Sequence, residues 1–310
     1  PMHIVITGGS GYLAGRIIEN ILNSSDHDIS VISQKKSSFF INPRVKHSSW
    51  NESDKINNTV SSADVILHTA GFNASKSSKN PDKAVDFARK STKRIIKAMK
   101  PSRNSNLIFF STAHIYRSPL IGEINEDTIP ENNHPYALSN LVGESLVENF
   151  NMSTNNKGLI LRIGNCFGLP ANESSNCWDL VINGMCKSAI INKKINVSGP
   201  SNQVRNFVPM KTFLQKLQLV IENESVGKSS HILNIAYMKS FALSEIAELI
   251  QTRCSELFNF MPKINYEKPK DDLINLNYQS KYIQTLNKED DHFLEEIDEM
   301  LTSLHQNCHD

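Results

Sequence analysis

The chain has 310 residues, with 39% hydrophobic and 21% charged side chains and a formal net charge of +1. That length can bury a large core in one or two domains, and the composition excludes wholesale disorder and fibrous repeats. A balanced charge without a basic block gives no reason to expect nucleic acid or an anionic membrane as partner.

No apolar run approaches the length of a bilayer crossing. The start carries no basic region followed by an apolar stretch and a small-residue cleavage site, and Pro1 ahead of Met2 reads as a remnant before a native start. Five cysteines without a Cys-x-x-Cys pair point to reduced thiols rather than a disulfide scaffold or a metal site. The expectation is a soluble, cytoplasmic, globular protein.

In chain order, HIVITG (3–8) is an apolar burst that ends in glycines. A helix over 13–23 follows, with Leu13, Ile17, Ile18, Ile21 and Leu22 on one face. DISVIS (28–33) and VILHTAG (65–71) read as strands, then a helix over 82–99, the strand NLIFFST (106–112), a helix over 136–150 and the strand GLILRIG (158–164). Continuous apolar strands separated by helices indicate a parallel sheet covered on both faces. After residue 165 the texture changes. Gly, Pro, Asn and Ser cluster at 164–176 and 198–206, and strands shorten. Helices are expected over 243–252 (Leu243, Ile246, Ala247, Ile250) and from about 289, with Phe293, Ile297, Leu301 and Leu304 on one stripe. The fold class is therefore α/β: a doubly wound parallel sheet of the Rossmann type over 1–165, with a return segment near 207–240. A smaller α+β lobe comprises 166–206 and 241–310.

The sharpest motif is ITGGSGYLAGRI, between the first strand and the first helix. Gly8 and Gly11 let the backbone turn tightly and approach a pyrophosphate, while the helix N-terminus supplies N–H donors and the positive end of its dipole. Ser10, Tyr12 and Leu13 belong to the same loop, and Ala14 keeps the helix–sheet contact close. The strand–turn–helix context makes this a dinucleotide site. The second strand ends in Ser33, Gln34, Lys35 and Lys36 where an acid would bind the ribose diol. No carboxylate repels a 2′-phosphate there, so NADP(H) is preferred and NAD(H) remains open. The alternative for the lysines is a solvated loop.

From these motifs onward the chain resembles the extended short-chain dehydrogenase/reductase family, in its NAD-dependent epimerase/dehydratase branch acting on nucleotide sugars. TGGSGYLA is similar to its cofactor loop, and DVILHTAG to the strand whose His68, Thr69 and Ala70 border the cofactor. FFSTAHIY resembles the strand that carries a catalytic hydroxyl, and PYALSNLVGE the helix that carries a catalytic tyrosine. LRIGNCFG, SGPSNQVRNFVPM and ILNIAYMKSFALSEIAELI resemble its substrate-lobe signatures.

The resemblance implies that Tyr136 exchanges a proton with the sugar oxygen and that Thr112 bonds the same oxygen, with Ser111 facing the other way on the strand. It implies that Ile163 borders the cofactor, that Asn165 touches the substrate diphosphate, that Arg205 grips phosphate or nucleotide, and that the partner is a nucleotide sugar. His114 is either a substrate contact or a packed polar side chain; Arg205 is either that contact or a surface ion pair. It also implies a homodimer through the 82–99 and 136–150 helices.

The sequence departs from the family in linked places. The lysine four residues after the tyrosine is Asn140, and the Asn of the preceding helix is Ala88. Asn140 can keep a ribose hydrogen bond and brings no charge. Without the ammonium, a tyrosinate base is costly near neutral pH, by about 4 kcal/mol for three pKa units, whereas a neutral tyrosine donor is the default. The dehydratase acid and base positions hold Ala113 and His114, which argues against a 4,6-dehydratase. Asn206 and Lys211 replace family aspartates in the lobe. The expected activity is NAD(P)H-dependent reduction of a nucleotide-linked keto-sugar in deoxysugar or surface-polysaccharide synthesis. The alternatives are an epimerase with bound NAD and a binding protein with weakened turnover.

Overall fold

In a computed structural model, the described residues are 1–310 apart from 37, 101–102, 155–156, 174, 224–225, 227, 229, 272–274, 284–290 and 309–310. Seven parallel strands form the main sheet. They are β1 (His3–Thr7), β2 (Asp28–Ile32), β3 (Val45–Ser48), β4 (Val65–His68), β5 (Asn106–Thr112), β7 (Lys157–Ile163) and β11 (Ile232–Ile235). Their order is β11-β7-β5-β4-β1-β2-β3, so the chain winds outward from β1 in both directions. Between the crevice-forming strands β1 and β4 the register runs Ile4↔Val65 to Thr7↔His68, which brings both strand ends to one edge.

Alternate side chains of each strand go to opposite faces, and here both faces are apolar. Ile4, Ile6, Ile29, Val31, Leu67, Ile108 and Leu161 belong to one buried cluster, which takes Ile17, Ile18 and Ile21 of α1 (Tyr12–Ser24). Val5, Ile32, Ile66, Leu107, Phe109 and Ile160 belong to the other. That second face meets Ile56 and Val60 of α2 (Ser53–Ser61), Ile95 of α4 (Pro81–Ala98) and Val147 and Phe150 of α5 (Pro135–Ser153). A short α3 (Ala74–Lys79) precedes α4. Helix α5 lies close on β5 because Gly143 has no side chain: a Cβ there would sit 2.2 Å from Phe109 Cζ.

The remaining elements form three small sheets and four further α-helices among the described residues. Strands β8 (Asn165–Phe167), β10 (Val204–Pro209) and β12 (Ser240–Ala242) form a three-stranded sheet, while β9 (Lys194–Pro200) pairs with β13 (Lys263–Glu267) and β6 (Gly122–Ile124) with β14 (Leu276–Tyr278). Helices α6 (Val181–Asn192), α7 (Met210–Glu222), α8 (Leu243–Phe258) and α9 (Phe293–Asn307) bury Met185, Phe213, Ile246 and Ile297 in the first cluster.

Several boundaries differ from the sequence expectation. The third expected strand stops at His68, α8 runs to Phe258 and α9 begins at Phe293, while residues 289–290 lie outside the described set. A left-handed Asn259 (φ 55°) ends α8 well past 252. No helix among the described residues is long and apolar enough to cross a membrane.

A polar network crosses this framework. The Arg162 guanidinium makes a bidentate pair with Glu144 at 3.0 and 2.7 Å, both buried, and donates to the Tyr116 hydroxyl at 3.0 Å. Tyr116 in turn donates to Asn234 Oδ1 at 2.7 Å. The network joins α5, β7 and β11.

Candidate active site

Gly8 (φ +71°) turns the chain out of β1, its N–H donating to Ile32 O at 2.8 Å and its carbonyl accepting from Gly11 N at 2.9 Å. A Cβ on Gly8 would stand 2.9 Å from Ala70 Cα, so the loop can touch the β4 end only as glycine. Helix α1 starts at Tyr12 behind Gly11, with no side-chain cap and no acid in its first turn. Its free N–H groups and dipole therefore face the opening with no competing anion. Ser10 and Leu13 flank this turn half-buried. Such a cradle fits a dinucleotide pyrophosphate.

Behind the loop, the Thr7 hydroxyl accepts from Ala70 N at 3.1 Å and meets His68 Nδ1 at 2.7 Å, while Thr69 Oγ1 donates to Thr7 O at 2.6 Å. His68 Nε2 reaches Thr92 Oγ1 at 3.0 Å. The His68 ring is thus locked between two threonines beneath the loop, and burial lowers its pKa to about 4. Both ring nitrogens are therefore engaged within the protein. The side chains of Tyr12, Ser33 and Ile163, expected at the cofactor, are likewise held by protein contacts. Tyr12 donates its hydroxyl to Gly168 O at 2.7 Å. Ser33 is buried, donating to Lys35 O at 2.7 Å and meeting His47 Nε2 at 3.2 Å. The Ile163 side chain is buried in the core at the end of β7. Gln34, Lys35 and Lys36 are exposed at the lip.

At the end of β5, Thr112 is buried and shares a hydrogen bond with the Tyr136 hydroxyl. The neighbouring Ser111 Oγ is buried without a partner, as expected for a side chain on the opposite face of the strand. Tyr136 lies in the first turn of α5, behind Pro135. The His134 ring caps that turn, Nδ1 accepting from Tyr136 N at 3.1 Å while Nε2 meets Ser78 Oγ at 2.9 Å. Neither His134 nor Ser78 was singled out from the sequence; a His-Pro before a helix is the signal that marks the cap.

Tyr136 is half-buried overall, but its phenol end is packed round with protein, and this burial raises its pKa above the usual value. The Thr112 hydrogen bond offsets part of the rise, and no cation contributes among the described residues. Asn140 donates its amide to Tyr136 O at 2.8 Å, so it is folded back along its own helix instead of reaching outward. Ala88 is buried on α4.

His114 follows in a short turn, its N–H 3.2 Å from Thr112 Oγ1 and its Nε2 3.1 Å from Asn165 Oδ1. Burial lowers its pKa, with the Asn165 contact opposing and Arg205 and His134 adding to the fall. Asn165 also donates to Asn206 O at 3.0 Å, so both ends of its amide are already engaged. Asn206 is buried, bonded to the Tyr237 backbone at both its oxygen and its nitrogen, which is a structural task.

Arg205 on β10 is half-buried, and burial lowers its pKa. Its hydrogen bond is to Gln203 Oε1 at 3.3 Å, and no carboxylate among the described residues lies within ion-pair distance. The surface ion pair considered from sequence is therefore not what holds it. Lys211 does form ion pairs, with Glu295 and Glu299. The five cysteines are unbonded, four of them buried.

Seven parallel strands with a glycine cradle at their C-terminal edge, and a Tyr–Thr hydroxyl pair beside it, define a dinucleotide-dependent enzyme fold of the Rossmann type. The chain belongs to the NAD dependent epimerase/dehydratase family, whose model matches residues 4–236. It is 23% identical over 283 residues to a putative UDP-glucose 4-epimerase of Methanocaldococcus jannaschii, covering 86% of each chain. It is also 23% identical over 299 residues to the human dTDP-D-glucose 4,6-dehydratase, covering 87% of this chain and 80% of that one. Among solved structures, a UDP-N-acetylglucosamine 4-epimerase from Methanobrevibacter ruminantium M1 superposes with a TM-score of 0.80 at 20% identity, covering 99% of both chains. A UDP-glucuronic acid 4-epimerase from Bacillus cereus, in complex with UDP-glucuronic acid and NAD, gives 0.76 at 17% identity over 98% of this chain and all of that one.

Proposed function

We propose that the protein reduces the keto group of a nucleotide-linked 4-keto-6-deoxysugar with NAD(P)H, in deoxysugar or surface-polysaccharide synthesis. The observation that carries this reading is the state of Tyr136: a buried phenol, bonded to Thr112, whose pKa is raised by burial and to which no cation contributes among the described residues. A carbonyl that accepts hydride needs donors at its oxygen, and a neutral phenol is the right form to hand over a proton. Oxidation of an alcohol, which an epimerase performs first, needs the phenolate instead.

The bound dinucleotide supplies the hydride. Tyr136 donates its proton to the sugar oxygen, and Thr112 orients that oxygen and the phenol together. Asn140, held on the Tyr136 carbonyl, would contact the cofactor ribose if its side chain changed rotamer, which is the role proposed for it. Arg205, a partly desolvated guanidinium without a counter-ion among the described residues, suits the substrate diphosphate, and a planar fork can bind it through two hydrogen bonds. Gln34, Lys35 and Lys36 form a lip without a carboxylate, which supports NADPH as well as the NAD named for relatives. A homodimer through α4 and α5 belongs to the same reading, with Leu138 and Val142 as the apolar contribution of α5. The division at residue 165, with a return segment near 207–240, is kept as the domain assignment.

Asn140 and Ala88 together favour a second reading, a sugar-nucleotide-binding protein with little turnover. The experiment is NADPH and NADH oxidation with a panel of nucleotide-4-keto-sugars, wild type beside Tyr136→Phe. Turnover that collapses in the variant is the expected result. No turnover in either, with both ligands still bound, overturns the reductase reading in favour of the second.

A further inference from the structure

Two side chains in the first turns of α1 leave their own domain. The Tyr12 hydroxyl donates to Gly168 O at 2.7 Å, and one turn later Arg16 Nη1 donates to Leu169 O at 2.6 Å. A spacing of four residues puts both on one helix face, and they hold two consecutive carbonyls of the segment that leaves β8. Three residues upstream in that segment is Asn165, whose amide bridges His114 and Asn206 O. The far side of the clasp is equally built. Asn183 of α6 bonds Gly168 at both N (3.2 Å) and O (3.0 Å). Beneath lies the buried Glu296 of α9, which accepts from Arg16 at 3.5 Å and from Lys211 N at 3.1 Å. Gly168 (φ +141°) is the residue that lets these parts close up, since a Cβ there would fall 2.4 Å from Glu296 Oε1.

The position of Tyr12 gives the clasp a consequence. It is the first residue of α1, directly behind Gly11, so its backbone is part of the pyrophosphate cradle while its hydroxyl is bonded to the lobe.

We propose that Tyr12 is a positioning residue that links the two ligand sites: a dinucleotide on the α1 N-terminus holds Gly168 and, through β8, Asn165 in place for the sugar nucleotide. The inference rests on the reading of both sites given above. An anion bound at the loop immobilises the Gly11–Tyr12 backbone, and the hydroxyl carries that order to Gly168. A ligand arriving at a segment already ordered binds more tightly, because it no longer bears the ordering entropy. The linkage is reciprocal, so either ligand strengthens the other by the same factor.

The experiment measures the Kd of NADPH or NADH, whichever binds, with and without saturating UDP or dTDP, in wild type, Tyr12→Phe and Arg16→Lys. Tyr12→Phe removes one hydroxyl and leaves Gly168 O its bond from Asn183, and Arg16→Lys keeps a charge for Glu296 while shortening the reach to Leu169. Thermal melts check that each variant is folded. The wild-type dinucleotide is expected to bind roughly fivefold or more tightly in the presence of the nucleoside diphosphate, a ratio that falls to within about twofold in Tyr12→Phe and drops in Arg16→Lys. A purely structural role would lower the melting temperature and leave the ratio alone. The proposal is overturned if wild type binds both ligands with a ratio of one, or if Tyr12→Phe keeps the wild-type ratio. Failure of wild type to bind either ligand would instead bring down the reading of the sites themselves, and this linkage with it.

Discussion

Replacing Asn140 by lysine tests the electrostatic core of the functional reading. In wild type, burial holds the Tyr136 pKa above 10, so at neutral pH the phenolate is on the order of one molecule in a thousand or fewer. Asn140 lies one helical turn beyond Tyr136 and already bonds its carbonyl, which places an ammonium at this position within a few ångströms of the phenol side of α5. A cation at such range lowers an acid's pKa by about 1–3 units. Oxidation that depends on phenolate should therefore quicken about 10- to 1000-fold at pH 7, and the rise in its pH–rate profile should move down by about 1–3 units. Reduction uses the neutral phenol and should change far less. The assay is NAD(P)+ reduction by the nucleotide-sugar alcohol across neutral to alkaline pH, with Asn140→Gln as a steric control. An Asn140→Lys profile that coincides with wild type, while the oxidised cofactor still binds, refutes the claim that the missing charge sets the direction of catalysis.

Three further outcomes are expected. His68 has a folded pKa of about 4 against 6.5 unfolded, so below pH 6.5 the unfolded chain takes up a proton that the native state refuses. The stability held above pH 6.5 is thus lost as pH falls towards 4, by about 3 kcal/mol in all; urea melts at pH 7 and 5 should differ less for His68→Gln than for wild type. Lys216 is buried, bonds the Ala236 carbonyl at 2.5 Å and has its pKa lowered to about 8. Lys216→Met should stabilise the fold at pH 7 by about 2 kcal/mol, the relief of the charge less one carbonyl left unbonded; a lower urea midpoint contradicts this. Arg162→Met strips the buried Glu144 of its bidentate partner and should destabilise by about 3–5 kcal/mol. An unchanged melt contradicts this.

The Rossmann half was legible because its signals are local. Apolar strands buried on both faces, and a glycine turn needing φ above zero at Gly8, are properties of a few adjacent residues. The pairing of Tyr136 with Thr112 was implied by the family resemblance, to which strand alternation added only that Ser111 faces the other way. What escaped was set by side chains meeting across long sequence distances. Nothing near Ser33 announces that His47 and the Lys35 carbonyl will occupy its hydroxyl, and nothing near His68 announces Thr92. The Asn140 amide instead bonds the Tyr136 carbonyl one turn back, an acceptor it shares with Ser139 Oγ. The smaller lobe was read coarsely in part because the apolar residues of α6 do not keep to one stripe, which blurs the helical period.

Gly143 deserves its place beside the hydroxyl pair it never touches. It sits two turns along α5 from Tyr136, at the point where the helix presses on Phe109 of the strand that ends in Thr112. Any side chain there would act as a wedge, prying the helix from the strand and drawing the two hydroxyls apart. On the proposed reading, the spacing of the two hydroxyls is thus set from a distance by a missing methyl group. The fulcrum on which natural or engineered change could retune the chemistry lies outside the site.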